Sequence, residues 1–417
     1  MPSKMKSKRL KVLLGCYACD PNFGSEPGVG WQFAKLIASH HDVHALVEKD
    51  EFENNLRAYT ERHPEEVRNI TFHFIRRNHH NLLRKIWPPS YYWFYRKWQK
   101  EAYLYALELD KKENFDVVHQ ITLAGYREPG YLWKLNKKFI WGPIGGLNQT
   151  AWSILPCMGL YGIIFYAFRN IMNAFQKRFS YAARVVSKKA HAILTSDNFS
   201  QHDILHLWHR NALVMKEVGT TETFHHHKCT IRQEGEELII CWAGVHEPRK
   251  GLGLLIDALA QCKASFQLHV LGHGPCTTKW QKLAQKHNLT ERIHFHGKIS
   301  HYEVFRFMAE SHVFCLTSLS EGGTTTVAME ALQHGLPIIA LNHCPFASAI
   351  NEQCGIHITV STPRQIIKDI AKAIDFLYEH EEIRQGMARA SIARSRDFSW
   401  DSKLAVLDRL YHNSTPV

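Results

Sequence analysis

The chain has 417 residues, more than one hydrophobic core usually organises, so two domains of about 150 to 200 residues each are expected. With 45% hydrophobic, 12% aromatic and 22% charged residues, the composition excludes an extended disordered protein. Lys and Arg outnumber Asp and Glu by 51 to 39, a net charge of +12, which favours an anionic partner without choosing among nucleic acid, an acidic membrane face and phosphorylated small molecules.

The basic N-terminus MPSKMKSKRL runs into a strand-like LKVLLGCYA with no small-residue cleavage site. No secretory signal is read there, and the expected compartment is the cytoplasm. The ten cysteines are sparse, and several sit alone in apolar runs, as Cys241, Cys315 and Cys354 do, which predicts free thiols. The longest unbroken apolar stretch, 158–168, is about half of the roughly 20 residues a spanning helix needs, so no transmembrane segment is expected.

Short aliphatic runs alternate with helix-length amphipathic segments along most of the chain, the pattern of an α/β protein with parallel sheets covered by helices. Strands are predicted at 11–16, 43–47, 70–74, 115–119, 139–141, 192–195 and 213–217, then again at 238–243, 267–271, 293–296, 313–317, 338–341 and 355–358. A polar, turn-prone stretch at 220–237 separates the two series. The expected domains are therefore 1–220 and 236–397. Two such doubly wound units bind ligands outside the carboxyl ends of their strands, so chemistry is sought in strand-to-helix loops.

Two stretches carry no acid. Between Glu66 and Glu101, cations interleave with Trp87, Tyr91, Tyr92, Trp93, Phe94, Tyr95 and Trp98; between Glu128 and Asp197 stand Arg169, Lys177, Arg178, Arg184, Lys188, Lys189 and three further lysines. Such segments suit an anionic membrane surface; the competing account is a core helix with a solvated basic face. No nucleic-acid module accompanies the charge, and no nucleic-acid partner is expected.

The segment LTSLSEGGTTTVAMEALQHGLPIIAL, 316–341, reads as strand end, Gly-rich loop, helix, Gly turn and strand. Gly323 and its neighbour admit close backbone approach, and Thr324, Thr325 and Thr326 open a helix whose N-terminal amides receive phosphate. Glu330, a turn further on, offers a carboxylate to a pair of ribose hydroxyls. A plain connection capped by Thr is the alternative.

At this point the chain resembles the retaining nucleotide-sugar glycosyltransferases of family 4, the type found in polysaccharide and lipid-linked glycan biosynthesis. The likeness extends to YACDPNFGSEPGVGWQFAKLIA, FDVVHQITLAGYREPGYLWKL, FIWGPIGG, WAGVHEPRKGLGLLIDAL, LHVLGHGP, IHFHGKISHYEV and the terminal DFSWDSKLAVLDRLY. It implies the GT-B fold, two Rossmann-like domains facing across a cleft, with the C-terminal segment 398–417 crossing back to the N-terminal domain. It implies an N-terminal acceptor domain and a C-terminal donor domain, and transfer of a sugar, hexosyl in type, from a nucleoside-diphosphate sugar to an acceptor hydroxyl with retention. The expected acceptor is a glycan or lipid-linked glycan, and the acid-free segments are expected to hold the enzyme peripherally on the cytoplasmic face of a membrane.

By the same resemblance Glu330 holds the donor ribose and Glu321 lies near the transferred sugar. Eight residues separate them here, where the family's usual pattern has seven, and Gly322 takes the strict register. Lys250 is expected on the donor diphosphate. The family's basic residue directly after the strand's glycine is replaced by Val245, with Arg249 as compensation. A cation there offsets charge on the leaving group, so no metal and no cofactor are required. Gly28 and Gly30 are expected in the first-strand loop near the phosphates, His119 at the domain cleft near the reacting sugar, and Gly274, Gly297, Lys298 and Ile299 near the base and phosphates. Cys16 and Cys19 form a CxxC without a thioredoxin context, and His225, His226 and His227 are read as a solvated loop. A nucleotide-sugar epimerase or phosphorylase-like enzyme, and a basic peripheral binding protein with a decayed site, are alternatives that keep the fold.

Overall fold

The computed structural model describes residues 8–77, 90–220 and 229–413; Trp87 and His225 to His227 lie outside them. The chain divides into two units. The first comprises Met1–Leu147, Gln176–Glu217 and Asp401–Val417, the second Asn148–Phe175 and Val218–Trp400. The 148–175 segment, within the stretch that the sequence assigns to the first domain, thus groups with the second. The cause is local: Ile154 and Met158 sink into the second unit's core among Leu252, Leu255 and Ile374.

The first unit holds a sheet of β1 (Lys11–Gly15), β2 (Asp42–Glu48), β3 (Ile70–Ile75), β4 (Val117–Gln120), β5 (Lys138–Ile144), β6 (Ala192–Thr195) and β7 (Leu213–Val214), in the order β3-β2-β1-β4-β5-β6-β7. The second holds β8 (Leu238–Ala243), β9 (Phe266–Leu271), β10 (Ile293–Gly297), β11 (Val313–Leu316), β12 (Ile338–Leu341) and β13 (Gly355–Ile358), in the order β10-β9-β8-β11-β12-β13. All neighbours pair in parallel. A strand buried on both faces reads as a continuous apolar run, which is why strands such as β1, β6, β11 and β12 were visible in the sequence. Both sheets reverse their winding, between β1 and β4 and between β8 and β11, and such switch points open the crevice where α/β folds bind ligands.

The terminal helix Trp400–His412 docks on the first unit. Its Asp408 meets His40 and His41 at 2.6 and 3.0 Å, and Lys138 donates to the Tyr411 carbonyl at 2.6 Å. All ten cysteines are free thiols. Burial raises the Cys19 thiol well above its usual range, helped by its contact with Cys16, so it remains protonated and is no poised nucleophile. In the helix Ser90–Glu113, Phe94, Tyr95 and Trp98 are core residues while Tyr92 and Trp93 are exposed; that aromatic cluster is largely accounted for by packing.

Candidate functional site

The second unit's switch point is flanked by the loops that follow β8 and β11. After β8 the chain makes a short turn, Pro248–Lys250, and passes through Gly251 at φ +65° into the helix Leu252–Leu259. A Cβ at Gly251 would sit 2.3 Å from the Thr317 carbonyl oxygen, so glycine there serves both the left-handed backbone and the approach of the two loops. The loops are stitched together: Leu319 N–H donates to Arg249 O at 2.7 Å, Thr317 Oγ1 donates to Lys250 O at 2.9 Å, and Trp242 Nε1 donates to Thr317 Oγ1 at 3.1 Å.

This stitching brings three predicted residues into one cluster. Glu321 accepts from Lys250 Nζ on one oxygen at 2.5 Å and from Arg249 on the other at 2.8 Å, while Arg249 Nε also meets Glu247 at 2.7 Å. Burial pulls the Arg249 pKa down, but Glu321 and Glu247 more than offset it, and the net shift is upward. The longer spacing to Glu330 therefore does not carry Glu321 away from the loop. It makes the carboxylate the counter-ion of the two cations, a relation that spacing alone did not reveal.

Glycine-rich residues 322–325 then lead into the helix Thr326–Gln333, with Thr325 at the N-cap in an extended conformation. Thr325 caps no helix amide with its side chain, and its buried hydroxyl has no partner among the described residues. The first amides of any helix lack intrahelical partners and carry partial positive charge. An anion-sized set of donors thus lies in the same loop as Glu321. Glu330, buried on that helix, accepts from His301 Nε2 at 2.7 Å, and this bond raises the His301 pKa. His301 opens the helix His301–Glu310, whose N-cap Ser300 forms a capping box with Glu303.

The remaining predicted residues are placed differently. Gly28 and Gly30 lie inside the helix Ser25–Ala38 rather than in a loop. A Cβ on Gly30 would stand 2.1 Å from the Ala18 carbonyl, and one on Gly28 2.4 Å from that of Phe23. Their lack of a side chain thus serves internal packing. Gly274 likewise faces the His246 backbone within 3 Å. Gly297 ends β10 at φ +70° with open space around it, Lys298 is exposed, and Ile299 packs partly against the core.

His119 lies one residue before the end of β4, and its ring is fully enclosed. Nε2 lies 2.7 Å from the Gly142 carbonyl and Nδ1 2.7 Å from the Tyr411 hydroxyl. A carbonyl only accepts, so Nε2 carries the proton and Nδ1 accepts from Tyr411. Burial lowers the pKa to about 4, the Gly142 bond opposing it. Both nitrogens are committed, which corrects the expectation of a histidine open to a sugar: its role here is to tie β4 to β5 and the terminal helix.

Some residues escaped the sequence reading. Arg169 and Thr150 both reach the Ser320 hydroxyl, at 3.2 and 3.0 Å, beside Glu321. Their separation from Ser320 along the chain left no local signal. His246, in the loop after β8, bonds Thr277 Oγ1 through Nδ1 at 2.8 Å; its buried Nε2 has no partner among the described residues, and burial lowers its pKa to about 4. The buried imidazole was visible only as one of many histidines.

The two doubly wound units define the GT-B fold. Known proteins place the chain more closely. Residues 227–394 match the family model described as "Glycosyl transferases group 1". The phosphatidyl-myo-inositol mannosyltransferase of Mycobacterium leprae is 25% identical over 168 residues, 40% of this chain and 43% of that protein. The chain thus aligns with less than half the length of the first curated relatives. Over nearly the whole chain the structure resembles a glycosyltransferase from Rickettsia africae (TM-score 0.65, 16% identity, 97% of this chain and 98% of that one). It also resembles Anabaena HepE in complex with UDP (TM-score 0.63, 12% identity, 96% and 99%).

Proposed function

We propose that this protein is a retaining glycosyltransferase that moves a hexosyl group from a nucleoside-diphosphate sugar to a hydroxyl of a membrane-associated glycan. The observation that carries the reading is the gathering of Lys250, Arg249 and the Thr325–Thr326 helix start at the second switch point, around a carboxylate that stands where a diphosphate would. In this reading the diphosphate takes over the two cations and the helix amides, and Glu330 exchanges His301 for the ribose diol. The bond from the anomeric carbon to the diphosphate breaks as the acceptor oxygen takes that carbon, and the hydroxyl proton leaves with the diphosphate. Lys250 and Arg249 offset the charge that grows on the leaving group, so the chemistry needs no metal.

The donor class is supported by the UDP bound to HepE. The acceptor class is supported by the lipid named in the mycobacterial mannosyltransferase; in this reading the enzyme works peripherally on the cytoplasmic face of a membrane. The test is a calorimetric titration with UDP, GDP and their sugars on the protein and on Glu330→Gln, followed by product mass on membrane extracts. One nucleotide series should bind, and the variant should bind it about tenfold or more weakly, since a buried charge-assisted bond is lost. Unchanged affinity in Glu330→Gln removes the ribose assignment; conversion of donor without acceptor removes the transferase.

A further inference from the structure

The helix Gly159–Phe179 is built inside out. A helix at a protein surface normally turns its apolar stripe to the core and its polar face to water. Here the enclosed face is polar: Asn170 and Asn173 are only 2% and 1% exposed. Asn170 is bonded through both side-chain atoms to the Thr150 backbone, Asn173 donates to Asn148 O at 3.1 Å, and Lys177 pairs with Asp203 at 2.6 Å. The outward face is apolar. Leu160, Tyr161, Ile164, Phe165, Phe168 and Ile171 recur at three- and four-residue spacing and are all exposed, Tyr161 by 82% and Phe168 by 65%. Their row runs along much of a 21-residue helix, about 30 Å long.

By length and composition 152–179 could cross a bilayer, contrary to the expectation from its unbroken apolar run. The hydrogen-bonded polar face argues against crossing, since Ile154, Leu155 and Met158 before it are buried and Asn170 and Asn173 are spent on protein partners. We infer that this helix lies in the plane of an anionic bilayer, its apolar row sunk among the lipid headgroups. Charge selects that occupant. The chain continuing from the helix exposes Arg178, Arg184, Lys188 and Lys189, and no acid occurs between Glu128 and Asp197. A second copy, carrying the same net charge of +12, would be repelled, whereas an anionic leaflet attracts each of these cations. The inference stands whether or not the proposed reaction is correct.

The full chain is sedimented with vesicles of phosphatidylcholine alone and of phosphatidylcholine enriched in phosphatidylglycerol. It should bind the anionic vesicles and be released by alkaline carbonate, which leaves spanning helices in place. Ile164→Glu with Phe168→Glu should lower partitioning by about tenfold or more, and the milder Phe168→Ala should lower it less, both at an unchanged melting temperature. Arg184→Gln, Lys188→Gln and Lys189→Gln together should erase the preference for anionic lipid. Absence of vesicle binding, full binding by the double variant, resistance to carbonate, or a lipid-free dimer abolished by that variant would each overturn the inference.

Discussion

Replacing Glu321 with Gln separates the two roles the carboxylate can have. Glu321 neutralises Lys250 and Arg249 through one bond to each, at 2.5 and 2.8 Å, with all three side chains largely shielded from water. A hydrogen bond to a charged group contributes about 1.5–3 kcal/mol net, and Gln retains one acceptor, so the variant should lose roughly 2 kcal/mol of stability. Any diphosphate must compete with Glu321 for the same cations. Removing that competitor at about 1.4 kcal/mol per tenfold should tighten a nucleoside diphosphate by about tenfold, whereas Lys250→Ala should weaken it by about tenfold or more. Urea unfolding and calorimetric titration read both quantities. If Glu321→Gln weakens the nucleotide as Lys250→Ala does, the carboxylate holds the ligand directly and the stand-in argument fails.

Two pH effects follow from the histidines. His119 titrates near 4 in the fold and about 6.5 unfolded, so only the unfolded chain takes up the proton between those values. Stability is present above about pH 6.5 and falls as pH drops towards 4, by about 3 kcal/mol at most from this residue; urea midpoints for His119→Asn should lose that share of the acid slope, and an unchanged slope would refute the assignment. His301 is shifted the other way, raised by its bond to Glu330. That bond is fully formed at low pH and weakens as pH rises through the raised value. Nucleotide affinity should accordingly climb with pH, and the dependence should flatten in His301→Ala; a slope equal in both proteins would detach His301 from the ligand.

Much of this was legible in the sequence because parallel strands are buried on both faces and appear as uninterrupted apolar runs. The loop 317–326 was legible for a similar reason: its residue types are unusual outside a phosphate-binding turn. The glycines of the first unit misled because SEPG has the composition of a turn. Pro27 is compatible with a first helical turn, where a missing N–H costs nothing, so the helix starts at Ser25 and takes Gly28 and Gly30 with it. His301 with Glu330, and Arg169 with Ser320, depend on pairings across 29 and 151 residues, which no local pattern encodes.

The helix Gly159–Phe179 shows where periodicity stops being informative. An apolar row at helical spacing establishes that one face differs from the other; it carries no sign saying which face meets the protein. That sign came from Asn170 and Asn173, whose amides are committed to backbone groups of residues 148 and 150. Turning the helix over would bury Phe168 and Tyr161 but strand two amides without those partners, each at about 1–3 kcal/mol. The same inner face carries Arg169 to Ser320, next to Glu321. A lipid surface against the outer row would therefore lie one helix diameter, about 10 Å, from the loop proposed to hold the donor, which is the separation a lipid-borne acceptor hydroxyl must bridge.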